Sequence, residues 1–265
     1  MPDRYDDLSD DAIVAHDRQR AMPDNTLQEL IIELRSRIGE GPCLDAGAGT
    51  GAIAIPLATA GTPVIGLDLS RAMLRELRAR LREDERVPLV RGDVTCLPFA
   101  DDTFAAVHCA HTLHLVMDWR KALAELIRVT AIEGILMFGL GGGLSTISML
   151  QDIQWRFQQE LGEIVRDAPA PGPASEEEFT EAMTLLVVTP LPAIELRYEQ
   201  TTSVEIDLHR LEHNVFGRSI NLGQDLFRHA ADRTRAWAVD RFGSLDEPLA
   251  RNRTLTYHVF RKESR

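Results

Sequence analysis

A glycine-rich turn between a short apolar run and a helical segment is the feature that most constrains the fold of this 265-residue chain. Residues 44–51 read LDAGAGTG, and residues 51–60 then carry the pattern of a helix. Glycines at such a turn accept left-handed backbone conformations and let a ligand approach the backbone closely. The order strand, glycine turn, helix predicts the first unit of a nucleotide-binding α/β fold.

The same alternation of strand and helix continues along the first half of the chain. Apolar runs that read as strands occupy residues 64–67, 87–90, 104–110 and 135–140. Helical patterns separate these runs, and strands that alternate with helices form parallel sheets with helices on both faces. We therefore expect an α/β fold with a doubly wound, mostly parallel sheet.

The pattern changes after residue 140, where helical segments dominate. They cover residues 147–164, a stretch that begins at residue 175, and residues 206–216 and 222–242. Two further strand-like runs are residues 194–198 and 254–260, and Pro190 and Pro192 are expected to end the helix before the first of them.

Three helix starts can be predicted from capping residues. Thr26 with Glu29 and Ser175 with Glu178 have the spacing of capping boxes, in which each side chain bonds to the other residue's backbone N–H. Ser70 is expected to be a third N-cap, because it directly precedes a helical pattern.

Charge and cysteine content narrow the classes of function. The formal net charge of −12 disfavours a nucleic-acid partner, because phosphate backbones are bound by Lys/Arg surfaces. The three cysteines form no CxxC pair, and the chain does not open with a basic segment followed by an apolar run. The longest uncharged run, residues 134–150, is interrupted by glycines. We expect a reduced, cytoplasmic protein that does not span a membrane.

Two kinds of nucleotide fit the glycine turn. With Ala52 the turn matches the dinucleotide fingerprint GxGxxA, and Asp68 follows about 20 residues later, so a NAD-type oxidoreductase is an alternative. However, Asp45 lies two residues before the first glycine, where its negative charge would repel a pyrophosphate and attract the cationic methionine end of a sulfonium nucleoside. The charge pattern favours S-adenosylmethionine.

Acidic residues follow three successive predicted strands, namely Asp45, Asp68 and Asp93. Carboxylates accept hydrogen bonds, so Asp68 can bind both hydroxyls of a ribose and Asp93 can bind the amino group of adenine. A turn or capping role is the simpler alternative for Asp68 and Asp93.

Four motifs in this order resemble the class I S-adenosylmethionine-dependent methyltransferases, in particular the small-molecule group that includes ubiquinone and menaquinone methyltransferases. The motifs are LDAGAGTG, VIGLDLSRAML, GDVTCLPFADDTFAAV and HTLHLVMDWRKALAELIRV, and they span roughly residues 44–138. The resemblance implies a Rossmann-like methyltransferase fold with a seven-stranded sheet whose last strand is antiparallel. Residues 194–198 and 254–260 would be its sixth and seventh strands.

The resemblance also suggests how the chain is divided. Residues 1–265 form one methyltransferase domain with a cofactor-binding core at residues 40–140. Added helices would cap the active site, and they would come from an N-terminal cover, residues 1–39, and from two cap segments, residues 141–189 and 203–242.

Individual residues take roles from the resemblance. The glycine turn would hold the methionine end of the cofactor, Asp68 its ribose and the Asp93 region its adenine. The full set of implied cofactor-binding residues is Asp45, Ala46, Gly47, Gly49, Gly51, Asp68, Leu69, Asp93, Val94, Ala110 and His111.

The acceptor side can be predicted only in part. A phenol, enol or amine acceptor would need a base, and His111 is the predicted one, because it would lie beside the reacting methyl group. His114, Trp155 and Trp237 are predicted to line the substrate pocket, with structural packing as the alternative for each. We expect no metal site, because no Cys or carboxylate cluster accompanies the two histidines.

Two departures from the family pattern lie outside the implied cofactor contacts. Phe104-Ala105 replaces the usual Phe-Asp, and Glu133-Gly134 replaces a pair of glycines. They are the sequence support for a further alternative, a non-catalytic protein that binds S-adenosylmethionine.

The favoured function is methyl transfer from S-adenosylmethionine to a small-molecule acceptor by in-line displacement. Because the sulfonium is already an activated leaving group, the protein mainly has to align the nucleophile, the methyl group and the sulfur. The sequence does not identify the acceptor, and it contains no heptad repeat that would indicate an oligomeric state.

Overall fold

The computed structural model describes residues 22–140, 148–162, 171–212 and 224–264. The sheet has seven strands in the order β3-β2-β1-β4-β5-β7-β6. In chain order the strands are β1 (Cys43–Ala46), β2 (Val64–Asp68), β3 (Leu89–Arg91), β4 (Phe104–Ala110), β5 (Thr130–Gly139), β6 (Val188–Thr202) and β7 (Leu249–Lys262).

The strand directions place a ligand-binding crevice at β1 and β4. Strands β1 to β5 pair in parallel, whereas β7 runs antiparallel to both β5 and β6. The chain passes outward from β1 to β2 and β3 and then returns to β4 on the other side of β1. Ligands of open α/β sheets bind where the strand order reverses in this way. The expected seven-stranded, mostly parallel sheet with an antiparallel last strand is confirmed, and the sheet as a whole is mixed.

Helices cover both faces of the sheet. Leu30 and Leu34 pack with Met137 on one face, whereas Leu123 and Leu126 pack with Phe138 on the other. The helices of the described segments are α1 (Asp24–Ile38), α2 (Ala54–Thr59), α3 (Arg71–Arg80), α4 (Trp119–Val129), α5 (Ser148–Leu161), α6 (Glu176–Thr184), α7 (Val204–Glu212) and α8 (Gln224–Phe242).

Two of the three predicted helix starts are confirmed. The Ser70 hydroxyl accepts from the Met73 N–H at 3.2 Å, and the Ser175 hydroxyl accepts from the Glu178 N–H at 3.1 Å. The Thr26 capping box is wrong, because the N-cap of α1 is Pro23, three residues earlier, and Thr26 is buried within the helix. No side-chain hydrogen bond caps α1, and its first turn carries Asp24, whose negative charge is favourable at a helix N-terminus.

The sixth strand is longer than predicted. Helix α6 ends at Thr184, and β6 then runs through Pro190 and Pro192. The β6–β7 register is interrupted between Leu191 and Ile194, next to these prolines. Since β6 is the edge strand of the sheet, a residue without an N–H is tolerated there. The third strand begins at Leu89, two residues after its predicted start.

Helices α5, α7 and α8 pack on one another through a cluster that includes Leu150, Ile153, Leu208 and Ala238. Residues 1–21, 141–147, 163–170 and 213–223, which belong to the predicted cover and cap segments, lie outside the described residues. Within the described ranges no helix is both long and apolar enough to cross a membrane.

Candidate functional site

The glycine turn between β1 and α2 has the backbone that its sequence predicts. Gly47, Gly49 and Gly51 have φ angles of 85°, 54° and 89°. These angles lie in the left-handed region, where a β-carbon is disfavoured. A ligand at the carboxyl end of β1 can therefore approach the backbone of the turn closely.

Asp68 connects this turn to the start of α3. Its Oδ2 accepts a hydrogen bond from the Gly49 N–H at 2.8 Å, and its Oδ1 accepts one from the Ser70 N–H at 2.8 Å. The structure thus brings Asp68 and the glycine turn together at adjacent strand ends. The carboxylate has a structural role that the sequence reading treated only as an alternative.

Asp93 occupies the equivalent place after β3. It is exposed, and its Oδ1 accepts from both the N–H and the hydroxyl of Thr95 at 2.8 Å. The Gly92 N–H bonds to the Asp68 carbonyl at 3.1 Å, so the two acidic residues follow neighbouring strand ends. Val94 is buried beside Asp93, and Leu69 is half-buried after Asp68.

Asp45 is oriented differently from the expectation. The residue is 2% exposed, and its Oδ1 lies 2.7 Å from Nδ1 of His108. The role of His108 was not predicted from the sequence. A histidine within the apolar strand FAAVHCA does, however, indicate a buried polar group that needs a partner. The carboxylate is therefore paired inside the protein rather than exposed at the turn.

The negative charge of Asp45 also affects two thiols. Burial, with the Asp45 charge as the second cause, raises the pKa of Cys109 to about 12 and raises the pKa of Cys43 as well. A thiol with a raised pKa stays protonated and is a poor nucleophile at neutral pH. Neither cysteine is a candidate for covalent chemistry.

The loop after β4 contacts the glycine turn. The Thr112 hydroxyl lies 3.3 Å from the Ala46 carbonyl oxygen and 3.1 Å from that of Ala110. His111 has a φ of 53°, and its N–H donates to the Gly139 carbonyl at 2.8 Å. A histidine in the left-handed region is uncommon and marks strained backbone. The predicted cofactor residues Ala110 and His111 thus lie next to the turn.

His111 and His114 are neighbours. Their ring centroids lie 6.4 Å apart with the rings nearly perpendicular. The segment before α6 packs onto this loop, because the Gly172 N–H bonds to the Val116 carbonyl at 2.9 Å. Two histidines, covered by a segment from the second half of the chain, therefore lie at the end of β4.

The predicted pocket tryptophans lie on the added helices. Trp155 on α5 is 61% exposed, so its alternative role in core packing is wrong. Trp237 on α8 is half-buried and packs edge-to-face against Phe242, with ring centroids 5.7 Å apart. Their role in a substrate pocket stays a prediction.

The described residues include no group of three or more His, Cys, Asp or Glu side chains that could hold a metal ion. The acidic residues of the site are instead each engaged by backbone N–H groups or by His108.

Residues 44–138 match the protein family described as "Methyltransferase domain". This segment begins in β1 and ends in β5, so it contains the glycine turn, Asp68, Asp93 and both histidines. The four motifs of the sequence reading lie within or overlap the same segment.

Curated relatives match part of the chain. A demethylmenaquinone methyltransferase of Renibacterium salmoninarum is 35% identical over 133 residues, which are 50% of this chain and 55% of the relative. One of Clavibacter sepedonicus is 46% identical over 86 residues, 32% of this chain and 35% of the relative. The chain thus matches about a third to a half of the length of these relatives.

A solved structure matches the fold over most of the chain. A Bacillus halodurans protein described as a methyltransferase has a TM-score of 0.60 at 17% identity, covering 90% of this chain and 99% of that one. At this identity the similarity establishes the fold.

Proposed function

Because residues 44–138 match the family described as "Methyltransferase domain" and the sheet reverses its strand order beside β1, we propose that this chain transfers a methyl group from S-adenosylmethionine to a small-molecule acceptor. The observation that carries the proposal is the turn of three left-handed glycines, held by Asp68 at the point where the strand order reverses. The NAD-type alternative gains no support from the matched family.

The cofactor would lie across the carboxyl ends of β3, β2, β1 and β4. We place its methionine end over the glycine turn, with Ala46, Gly47, Gly49 and Gly51 around it and the buried Asp45 carboxylate beneath them. The ribose would meet Asp68 and Leu69, and the adenine would lie between Asp93 and Val94. Support comes from the order of the strands, which puts these groups along one edge of the sheet.

The chemistry asks little of the side chains once the reactants are aligned. The acceptor attacks the methyl group in line with the departing sulfur, and the protein supplies orientation and excludes water. Ala110 and His111 would face the reacting methyl group from the end of β4. For an acceptor that loses a proton, His111 would be the base. Its left-handed backbone conformation holds the residue at the end of β4, beside the glycine turn.

The acceptor class follows from charge and from the relatives. The net charge of −12 supports a small molecule rather than a nucleic acid. The curated relatives are named for a quinone, so demethylmenaquinone is the first acceptor to test. Helices α5, α7 and α8, with His114, Trp155 and Trp237, would shape the pocket.

The free thiols Cys43, Cys96 and Cys109 suit a reduced compartment such as the cytoplasm.

Calorimetric titration with S-adenosylmethionine, S-adenosylhomocysteine and NAD tests the cofactor. We expect micromolar binding of both sulfur nucleosides and none of NAD. Asp68→Ala should lose most of this binding, whereas Asp84→Ala, an exposed aspartate whose ion pair to Arg82 lies in a loop, should retain it. Binding of NAD alone would contradict the proposal.

A turnover assay separates an enzyme from a binding protein. The protein is incubated with S-adenosylmethionine and demethylmenaquinone, in oxidised and reduced form, and S-adenosylhomocysteine is quantified. Acceptor-dependent release of S-adenosylhomocysteine supports methyl transfer. Tight cofactor binding without turnover of any acceptor in a wider screen would favour the non-catalytic alternative.

A further inference from the structure

Three buried polar side chains form a chain across the sheet, beside the glycine turn. Asp45 on β1, His108 on β4 and Tyr257 on β7 are each 2% exposed. Asp45 Oδ1 lies 2.7 Å from His108 Nδ1, and His108 Nε2 lies 3.1 Å from the Tyr257 hydroxyl oxygen. One imidazole thus joins a carboxylate of the first strand to a phenol of the last.

Gly139 on β5 makes room for this chain. A β-carbon on Gly139 would lie 3.3 Å from Cε1 of Tyr257 and 3.0 Å from the β-carbon of Ala110. Contacts this short leave little space for a side chain, so the Tyr257 ring passes over β5 at its glycine to reach His108. The His108 and Tyr257 ring centroids are 5.4 Å apart.

A buried carboxylate is costly unless it is paired and hydrogen-bonded. The thiols next to Asp45, on Cys43 and Cys109, have raised pKa values and stay neutral, so they add no charge. The hydrogen-bonding partner described for the Asp45 carboxylate is the His108 ring. The orientation of the Asp45 carboxylate therefore depends on His108, and the orientation of His108 is supported by Tyr257.

Asp45 also lies two residues before Gly47, at the part of the turn assigned to the methionine end of the cofactor. We propose that His108 and Tyr257 are positioning residues that hold the Asp45 carboxylate beneath the turn, where its charge favours the α-ammonium group at the amino-acid end of the bound nucleoside. This inference rests on the proposed function. A charge fixed in a buried, weakly screened place acts strongly on a nearby cation.

The position of the chain makes the effect selective. Strand order places β4 and β7 on one side of β1, whereas Asp68 and Asp93, the residues assigned to ribose and adenine, follow β2 and β3 on the other side. Disturbing His108 or Tyr257 should therefore weaken contacts to the amino-acid end and spare those to the nucleoside end.

Two ligands separate these ends. S-adenosylhomocysteine carries the cationic amino group, whereas 5′-methylthioadenosine keeps adenine, ribose and sulfur but lacks the amino-acid part. Both are titrated calorimetrically into the wild type and into His108→Leu, His108→Asn and Tyr257→Phe. His258→Asn and Tyr198→Phe are matched controls, because His258 contacts Phe179 on the opposite face of the sheet and Tyr198 lies on the edge strand β6.

We expect His108→Leu to weaken binding of S-adenosylhomocysteine roughly tenfold, because the hydrogen bond to the Asp45 carboxylate is lost. The affinity for methylthioadenosine should change by less than about twofold. His108→Asn should restore most of the affinity, because its amide nitrogen can take the place of Nδ1. Tyr257→Phe should fall between these two, and both controls should match the wild type.

Equal losses for both ligands would mean that the chain only supports the fold, and unchanged affinities would mean that it does not act on the cofactor; either result overturns the inference. If His108→Leu does not fold, the comparison of Tyr257→Phe with Tyr198→Phe decides the question. A wild type that binds neither nucleoside refutes the proposed function itself, and with it this inference.

Discussion

Gly47 of the glycine turn and Thr112 of the loop after β4 touch so closely that a β-carbon on Gly47 would lie 1.9 Å from the Thr112 hydroxyl oxygen. The same threonine lies within hydrogen-bonding distance of the Ala46 carbonyl. The two loops at the end of the sheet are therefore packed as one unit. A substitution in one loop should change the conformation of the other.

Gly47→Ala should abolish binding of S-adenosylhomocysteine and destabilise the fold. Gly243→Ala is the matched control, because Gly243 also has a positive φ, 75°, but a β-carbon there would meet no atom within 4 Å. Both variants carry a left-handed strain of roughly 1–2 kcal/mol, and only Gly47→Ala adds the collision. Urea unfolding and calorimetry measure the two effects, and equal destabilisation of both variants would contradict the predicted contact.

Stability should depend on pH through Glu125. The Arg128 side chain donates to Glu125 at 2.7 Å, and its guanidinium also bonds to the Leu97 and Phe99 carbonyls. The hydrogen bond from Arg128 is the main cause that lowers the pKa of Glu125. A lowered folded pKa means that the stabilisation is present above the unfolded value of about 4.3 and is lost as the pH falls through the folded value.

Glu125→Gln should therefore lower the free energy of unfolding by about 1 kcal/mol at neutral pH, with a smaller loss in acid below the folded pKa. Glu76→Gln is the control, because the Glu76–Arg80 pair is an exposed pair within one helix and should contribute little. Denaturant unfolding is measured at both pH values. A loss that is independent of pH would show that the charge of Glu125 is not the cause.

Two tryptophans should differ in their effect on stability. Trp119 is 4% exposed in the main core, whereas Trp155 is 61% exposed on α5. Trp119→Ala should cost roughly 3–5 kcal/mol, because it opens a cavity, and Trp155→Ala should change stability by less than about 0.5 kcal/mol. Denaturant unfolding compares them. If Trp155→Ala were as costly as Trp119→Ala, Trp155 would have to be buried in solution.

Packing of the segment that covers His114 should depend on the absence of a side chain at Gly172. A β-carbon on Gly172 would lie 2.3 Å from the His114 Cα, whereas one on Gly162, which also has a positive φ, would meet no atom within 4 Å. Because backbone atoms cannot move aside, Gly172→Ala should displace the segment and break the bond from its N–H to Val116. Hydrogen exchange measured by mass spectrometry should rise around residue 172 in this variant and stay unchanged there in Gly162→Ala.

Much of the framework was predictable because it depends on neighbours in the chain. The periods of apolar residues located the strands and helices, and the glycines of residues 47–51 required a left-handed turn. Ser70 and Ser175 capped their helices as expected, since a capping bond joins residues three positions apart. Asp68 was expected at the end of the second strand and lies there, but its bond to the Gly49 N–H was not predicted.

Other features depended on residues far apart in the chain. His108 and Tyr257 are separated by 149 positions, and no local pattern indicates that one would support the other. The extension of β6 through two prolines required an edge position, which only the completed sheet provides.

The sequence by itself determined the order of elements, the glycine turn and the strand ends that carry the acidic residues, because these follow from local conformational preferences. The tertiary structure decided which side chains are buried and paired, because burial depends on what packs against a residue. Asp45 shows the difference: its place before the turn could be read, but its partner His108 became visible only when β1 and β4 lay side by side.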